Sequence, residues 1–225
     1  LPPASTTKIM TALIVLENYQ LDDVLTVPEL SNLIGQRMEL EGGEKMTVEN
    51  LLYGLLVQSA NDAALTLASN HSNGIEDFIY SMNKKANQLG FLNTHFANIS
   101  GIDQVNHYST VRDLAHLAAY AMKNPVFAKI VTTPSIAVTD IDSQHVHVLE
   151  NTNELIGKIF GLKGVKTGWT EAAGECLVSY VERDGRKIIT VLLGSRDRFG
   201  ETGKLIGWVF RNYSWQEMIS LSIDN

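Results

Sequence analysis

The sequence has a single cysteine, Cys176, among its 225 residues, which excludes an internal disulfide and any cysteine-based zinc cluster. That cysteine lies in the apolar run Cys-Leu-Val-Ser-Tyr-Val, with no basic neighbour to stabilise a thiolate, so it reads as a buried core thiol. Long hydrophobic runs are missing as well. No stretch approaches the roughly 18 apolar residues of a membrane span, so no transmembrane segment is expected in this chain. Positive charge is scarce: 18 lysines and arginines stand against 25 acidic residues, a net charge of −7. The basic residues are scattered, which leaves no electrostatic footprint for nucleic acid or an anionic membrane surface. No Pro/Gly/Ser-rich linker, internal repeat or low-complexity stretch divides the chain, and one domain with two lobes is expected. No signal peptide is visible, and the abrupt opening just before Ser5 points to a processed chain whose targeting sequence would not show.

What is present reads as a helical part followed by a strand-rich part. Pro2 and Pro3 suit the approach to a helix, and the run after them predicts a helix to about Asn18. A loop-rich region follows to Gly42-Gly43. Thr47 is placed to cap the next helix, with Glu49 against the positive end of its dipole, and Asn61 to Ala68 reads as another. Ser59-Ala60-Asn61 therefore falls at a junction between two buried helices. Ile75 to Leu89 carries an apolar stripe at helical spacing and stops at Gly90, and Thr110 to Met122 is a further helix with Pro125 beyond its end. From about Val131 β-branched and alternating residues predict strands at Ile136 to Val138 and Val146 to Leu149. Glu175 to Val181 and Lys187 to Leu193 form a hairpin around Asp184-Gly185, a pair suited to a type I′ turn. Both strands are apolar on nearly every residue, so the sheet is expected to be covered on both faces, with the helix from Glu201 to Tyr213 on one of them.

Ser5 and Lys8 stand three residues apart at the head of the first helix, where side chains share a face about 5 to 6 Å apart. The amine can then reach the hydroxyl, a nucleophile with a base beside it. The same Ser-x-x-Lys spacing occurs at Ser81 and Lys84, but those residues fall on the polar face of their helix and read as solvated surface. His145-x-His147 has no evident third ligand and reads as a strand with two alternating surface histidines, so no metal is expected.

Ser5-x-x-Lys8, Ser59-x-Asn61 and Lys166-Thr167-Gly168, followed by Arg198, stand in the order that marks penicillin-binding proteins and serine β-lactamases. The surrounding sequence narrows the likeness. Ala-Ser-Thr-Thr-Lys-Ile-Met-Thr-Ala, Ser-Ala-Asn-Asp-Ala-Ala, Met82-Asn83-x-Lys85-Ala86 with Leu89-Gly90, Tyr108-Ser109-Thr110, Asn151-Thr152-Asn153, Gly164 to Thr170 and Ala173-Gly174-x-Cys176-Leu177 resemble the D-alanyl-D-alanine carboxypeptidase family over essentially the whole chain. The resemblance implies an α/β (α+β) fold of the β-lactamase/transpeptidase type: an antiparallel sheet flanked by helices, with a helical lobe at about residues 18–150 and a sheet lobe from 1–17 plus 151–225. It also implies two strands ahead of the Ser-x-x-Lys helix that complete a five-stranded sheet, and these are expected to be missing here.

The activity implied is acyl transfer on a peptidoglycan stem peptide ending in D-Ala-D-Ala, without cofactor or metal. Ser5 attacks the carbonyl between the two D-alanines, D-alanine leaves, and water hydrolyses the acyl-enzyme. By resemblance, Lys8 accepts the proton, Ser59 relays it to the leaving amine, and Asn61 binds the substrate amide and helps fix Lys8. Lys166 supplies positive charge and Thr167 hydrogen-bonds the substrate. Gly168 and Trp169 continue the binding strand, with the N–H groups of Ser5 and Trp169 as oxyanion hole. Arg198 meets the terminal carboxylate, with Arg196 two residues away as a rival. Lys8 has to be neutral to act, and its pKa is expected to be depressed by burial and by Lys166. β-Lactam antibiotics are the implied covalent inhibitors, and an extracytoplasmic location and a role in cell-wall biogenesis and cell shape follow from the substrate. No glutamate occurs between Asp77 and Leu149, so the deacylating residue of a class A β-lactamase is lacking and penicillin is expected to remain on Ser5. A DD-endopeptidase uses the same residues, and a non-catalytic homologue that only binds cell-wall peptide would be marked by a lost catalytic residue; none is lost.

Overall fold

A computed structural model describes residues 1–31 and 33–216; the end of the expected sheet lobe, residues 217–225, lies outside the described residues. Pro2 and Pro3 lead into a one-turn 3-10 segment, Ala4–Thr7, which runs directly into α1 (Lys8–Asn18). Every residue of α1 from Lys8 to Val15 is buried. A helix apolar around most of its circumference has to be interior, and α1 is the axis on which the helices α3 (Asn61–Ser69), α4 (Gly74–Gln88) and α5 (Val111–Ala121) pack.

The expected cap at Thr47 is in place, and Thr110 caps α5 in the same way. The Thr47 hydroxyl accepts the Asn50 N–H at the head of α2 (Val48–Tyr53), and the Thr110 hydroxyl accepts the Asp113 N–H at the head of α5. Beyond Tyr53 the chain widens into a π-type turn, Gly54–Gln58, and ends at Ser59 in the left-handed conformation, φ 64°. A further helix, α6 (Pro125–Thr132), was not expected. The proline that stops α5 also takes the first position of α6, where its missing N–H costs nothing, and Asn124 caps it by accepting the Val126 and Phe127 N–H groups.

Two short antiparallel pairs decorate the helical part: β1 (Val24–Thr26) with β2 (Lys45–Thr47), and β3 (Ser135–Thr139) with β4 (Val146–Glu150). β1 lies in the stretch read from sequence as loop, and β2 just beyond its end at Gly42-Gly43; three residues are too few for an alternating pattern to register. The alternation in β4 is real but inverted. Val146 and Val148 face solvent, whereas His147 is buried: its Nδ1–H donates to the Met38 carbonyl at 2.8 Å and its Nε2 meets Glu44 at 2.9 Å. The expectation of two surface histidines is corrected accordingly. The segment 38–44 folds over that side of β4, a long-range packing that no local pattern announces. His145 precedes the strand and pairs with Asp140.

The central sheet runs β5-β6-β7, all antiparallel, from β5 (Leu162–Thr170), β6 (Gly174–Arg183) and β7 (Arg186–Ser195). Asp184 and Gly185 both have positive φ, 50° and 76°, as the two-residue hairpin requires. One face packs on α7 (Arg198–Asn212) through Ile206 against Leu162 and Val181; the other joins the main helical core through Val165 and Val178. Among the described residues β7 has β6 as its sole strand partner, and β5 is the opposite edge, facing the turn that carries Ser5.

Candidate active site

A cavity of about 670 Å³ opens where the Ser5 turn, the Ser59 junction and the edge strand β5 meet. Ser5, Ser59, Asn61, Thr167, Trp169 and Arg198 line it. The second Ser-x-x-Lys copy has no part in it: Lys84 is exposed on α4, and Asn83 is spent on the Phe96 backbone.

The Ser5 turn is held tightly. Ala4 adopts a positive φ of 47°, and the Thr6 hydroxyl donates to the Pro3 carbonyl at 2.6 Å. Ala4 is buried against Ala173 and Cys176 at the end of the sheet, and the Cys176 thiol is the buried, unreactive group expected, its pKa raised chiefly by burial. Gly168 is required where β5 passes this turn, since a Cβ there would lie 2.9 Å from both the Ala4 Cβ and the Ser5 nitrogen.

Lys8 is completely buried, with Nζ 3.0 Å from Ser5 Oγ and 2.9 Å from the Ser100 carbonyl. Burial and the nearby Lys166 hold its pKa well below the ordinary lysine range, with Asp62 pulling the other way. Lys166 is buried too, donates to the Thr167 carbonyl at 3.1 Å, and is brought down to about 7 by burial and by Arg198. The Arg198 guanidinium donates to the Gly168 carbonyl at 3.0 Å, which holds it on the sheet side of the cavity, and the backbone N–H of Arg198 donates to the Glu175 carboxylate. Arg196 is exposed and does not line the cavity.

Asn61 does not bond Lys8. Its amide N–H donates to the Ile34 carbonyl at 2.6 Å, and its backbone N–H to the Gln36 carbonyl at 2.7 Å. The adjacent Asp62 carboxylate, fully buried, accepts the Met38 and Leu40 N–H groups at 3.1 Å each. Together the two side chains hold the segment 34–40 as one wall. Among the described residues, Asn61 Oδ1 and Arg198 Nε are two of six buried side-chain polar atoms without a hydrogen-bond partner, and they are the two whose residues line the cavity.

Sequence reasoning passed over several residues that this site uses. Thr152 lines the cavity and its hydroxyl meets that of Thr167 at 2.6 Å. Gly101 lines the other side, the Ser100 carbonyl beside it meets Lys8, and His107 braces the Ser5 turn through Thr7. For Thr152 the signal was the Asn151-Thr152-Asn153 match; for the other three it was only the polar run Asn98 to His107, which reads locally as an ordinary loop. His107 Nδ1 accepts the Ala97 N–H at 2.9 Å, so its proton sits on Nε2 and is donated to the Thr7 hydroxyl at 2.8 Å. Burial lowers its pKa from 6.5 to about 4. As pH falls, the unfolded chain therefore takes this proton first. The stability associated with the neutral ring is complete above about 6.5, is lost down to about 4 and is then constant, a total of about 3 kcal/mol. His107→Gln, which keeps an acceptor and a donor, is expected to lack this part of the acid loss. Urea unfolding of both proteins at a series of pH values between those limits checks it; parallel curves would contradict it.

Helices packed on one antiparallel sheet, with a Ser-x-x-Lys turn at the head of a buried helix facing the edge strand, define the penicillin-binding and β-lactamase class of fold. Within that class, the chain belongs to the D-alanyl-D-alanine carboxypeptidase family, whose model matches residues 1–197. It is 34% identical to the D-alanyl-D-alanine carboxypeptidase DacF of Bacillus subtilis over 95% of this chain, and 33% identical to a D-alanyl-D-alanine endopeptidase of Pseudomonas aeruginosa over 92% of it. It spans 57% and 69% of the length of those two relatives. The crystal structure of the Streptomyces K15 DD-transpeptidase superposes with a TM-score of 0.88 at 35% identity, covering 93% of this chain and 88% of that one.

Proposed function

We propose that this chain is a serine-type D-Ala-D-Ala carboxypeptidase, acting outside the cytoplasm on peptidoglycan stem peptides through an acyl-enzyme on Ser5. The observation that carries the reading is the Ser5–Lys8 pair: a hydroxyl at the cavity floor, 3.0 Å from a wholly buried amine whose surroundings favour its neutral form. Ser5 is the nucleophile and Lys8 the base. Ser59, at the cavity wall, passes the proton to the departing amine, and the free Asn61 Oδ1 receives the substrate amide N–H. Lys166, Thr167 and Arg198 form the carboxylate end, where a guanidinium offers a bidentate fork. The backbone N–H groups of Ser5 and Trp169 stabilise the oxyanion, the first with help from the helix terminus. Residues 1–225 are taken as one catalytic domain of two lobes; the continuity of the main core from α1 to Val165 and Val178 supports this.

β-Lactams are the corresponding covalent ligands. Intact-mass measurement after exposure to penicillin is expected to find one adduct, on Ser5 and absent from Ser5→Ala; a folded chain that takes none would end the hydrolase reading. The endopeptidase alternative, raised by the name of the Pseudomonas relative, is separated by chromatography of products from a monomeric pentapeptide and from a cross-linked dimer. For the carboxylate end, Arg198→Ala is expected to weaken D-Ala-D-Ala cleavage by roughly 10- to 100-fold, the worth of a charge-assisted hydrogen bond or two. Arg196→Ala is expected to match wild type. The reverse pattern in kcat/KM would reassign the carboxylate to Arg196.

A further inference from the structure

The segment 97–107 is tied to the nucleophile helix at three points. The Ile99 carbonyl accepts from the Thr11 hydroxyl at 2.6 Å, the Ser100 carbonyl accepts from Lys8 Nζ at 2.9 Å, and His107 meets Thr7 at 2.8 Å. Only the second touches the base, and what orients it is a side chain outside the cavity lining. Asn98 is buried, 9% exposed. Its Oδ1 accepts the Ser100 N–H at 3.2 Å and the Gly101 N–H at 2.7 Å. Its Nδ2 donates to the Ile102 carbonyl at 2.9 Å and to Gln104 at 3.0 Å. Both donors and both lone pairs of the amide are thus engaged.

The Gly101 N–H and the Ser100 carbonyl belong to the same planar peptide unit and point in opposite directions. Anchoring that N–H on Asn98 therefore turns the carbonyl away from Asn98, and it meets Lys8. A neutral amine carries two N–H groups and one lone pair. With one N–H given to the Ser100 carbonyl, rotation about the Cε–Nζ bond is restricted and the lone pair can be directed at the Ser5 hydroxyl. We infer that Asn98 is a positioning residue for the reaction: by holding the Ser100–Gly101 peptide it orients the Lys8 amine towards Ser5. The inference rests on the acyl-transfer reading and names a residue that none of the three sequence motifs contains.

The charged groups facing Lys8 are Lys166 from β5 and Asp62 from α3. Replacing Asn98 alters neither, so a changed pH profile reports geometry and hydration. The test is the second-order rate of acylation by a penicillin, measured against pH on the whole chain. Asn98→Ala is expected to acylate about 10- to 100-fold more slowly, the scale of a misplaced reacting group. Its acid-side inflection is expected to move upward, because a released peptide lets water reach the amine. Gln104→Ala, which leaves both contacts to the turn, is expected to keep the wild-type rate and profile. A folded Asn98→Ala with wild-type rate and inflection overturns the inference, as does an equal loss in Gln104→Ala. Should Asn98→Ala fail to fold, Asn98→Ser retains one acceptor for the same N–H groups: an intermediate rate with a displaced inflection supports the role, and a wild-type profile overturns it. If the wild-type chain itself takes no label, the hydrolase reading falls and this inference falls with it; label on wild type with an unchanged Asn98 variant removes the inference alone.

Discussion

Lys8→Met is expected to lower the acylation rate of Ser5 by about 10²- to 10⁴-fold, the usual contribution of a positioned general base, without lowering stability at neutral pH. The two halves of this expectation have one cause. A free lysine is neutral about once in 2,500 at pH 7, an obstacle of about 4.6 kcal/mol that each unit of pKa depression reduces by about 1.4. The site lowers that obstacle through complete burial of the amine beside Lys166. The same arrangement works against folding. With the folded pKa below the unfolded one, the unfolded state holds the proton more tightly, so the native state is penalised at every pH below about 10.4, increasingly down to the folded value. Methionine has a similar volume and no proton to lose. It leaves the Ser100 carbonyl short of one partner, a cost of about 1 to 3 kcal/mol that the removed penalty offsets. The advantage of the variant should shrink as pH is raised towards 10.4, which denaturant unfolding at pH 7 and pH 10 would reveal. Acylation of Lys8→Met at the wild-type rate would exclude Lys8 as the base.

Gly101→Ala is expected to damage both stability and chemistry. A Cβ at position 101 would fall 1.8 Å from the Ala4 carbonyl oxygen, 2.3 Å from its carbon and 2.9 Å from the Ser5 nitrogen, with φ already at +88°. None of these neighbours is a flexible side chain. The backbone of either the 98–102 turn or the nucleophile turn must move, and Ala4 in the latter is itself at φ 47°. Left-handed strain and overpacking together amount to about 3 to 5 kcal/mol. A shift of about 1 Å at a reacting centre costs on the order of 100-fold in rate. Thermal unfolding and penicillin acylation should therefore both change in this variant. Gly43→Ala is a suitable comparison, since its φ is also positive at +93° but nothing lies within 4 Å of the added carbon: it should carry the conformational cost and leave acylation intact. Equal rate losses in the two glycine variants would show that close approach to Ser5 is immaterial.

Much of the scaffold could be read locally. The caps at Thr47 and Thr110, the stop at Gly90 and the Asp184-Gly185 hairpin each follow from the chemistry of a few consecutive residues, and each is present. The helix at Pro125 was missed because proline is both a terminator and a first-position residue, and the identity of its neighbours does not say which use prevails. His147 was misplaced because alternation tells which residues share a face, while which face is covered depends on a segment a hundred positions away.

The sequence by itself determined the family and the order of the motifs, and nominated the residues proposed for the chemistry, because backbone preference, capping and helical spacing act over a few positions. Only the tertiary structure decided what surrounds the Ser5–Lys8 pair. The Ser100 carbonyl on the amine, the Asn98 clamp behind it, Arg198 rather than Arg196 at the cavity, and Asn61 bonded to the 34–36 wall instead of Lys8 are contacts between distant segments. Desolvation and peptide-plane orientation arise only when those segments pack, so no local pattern encodes them.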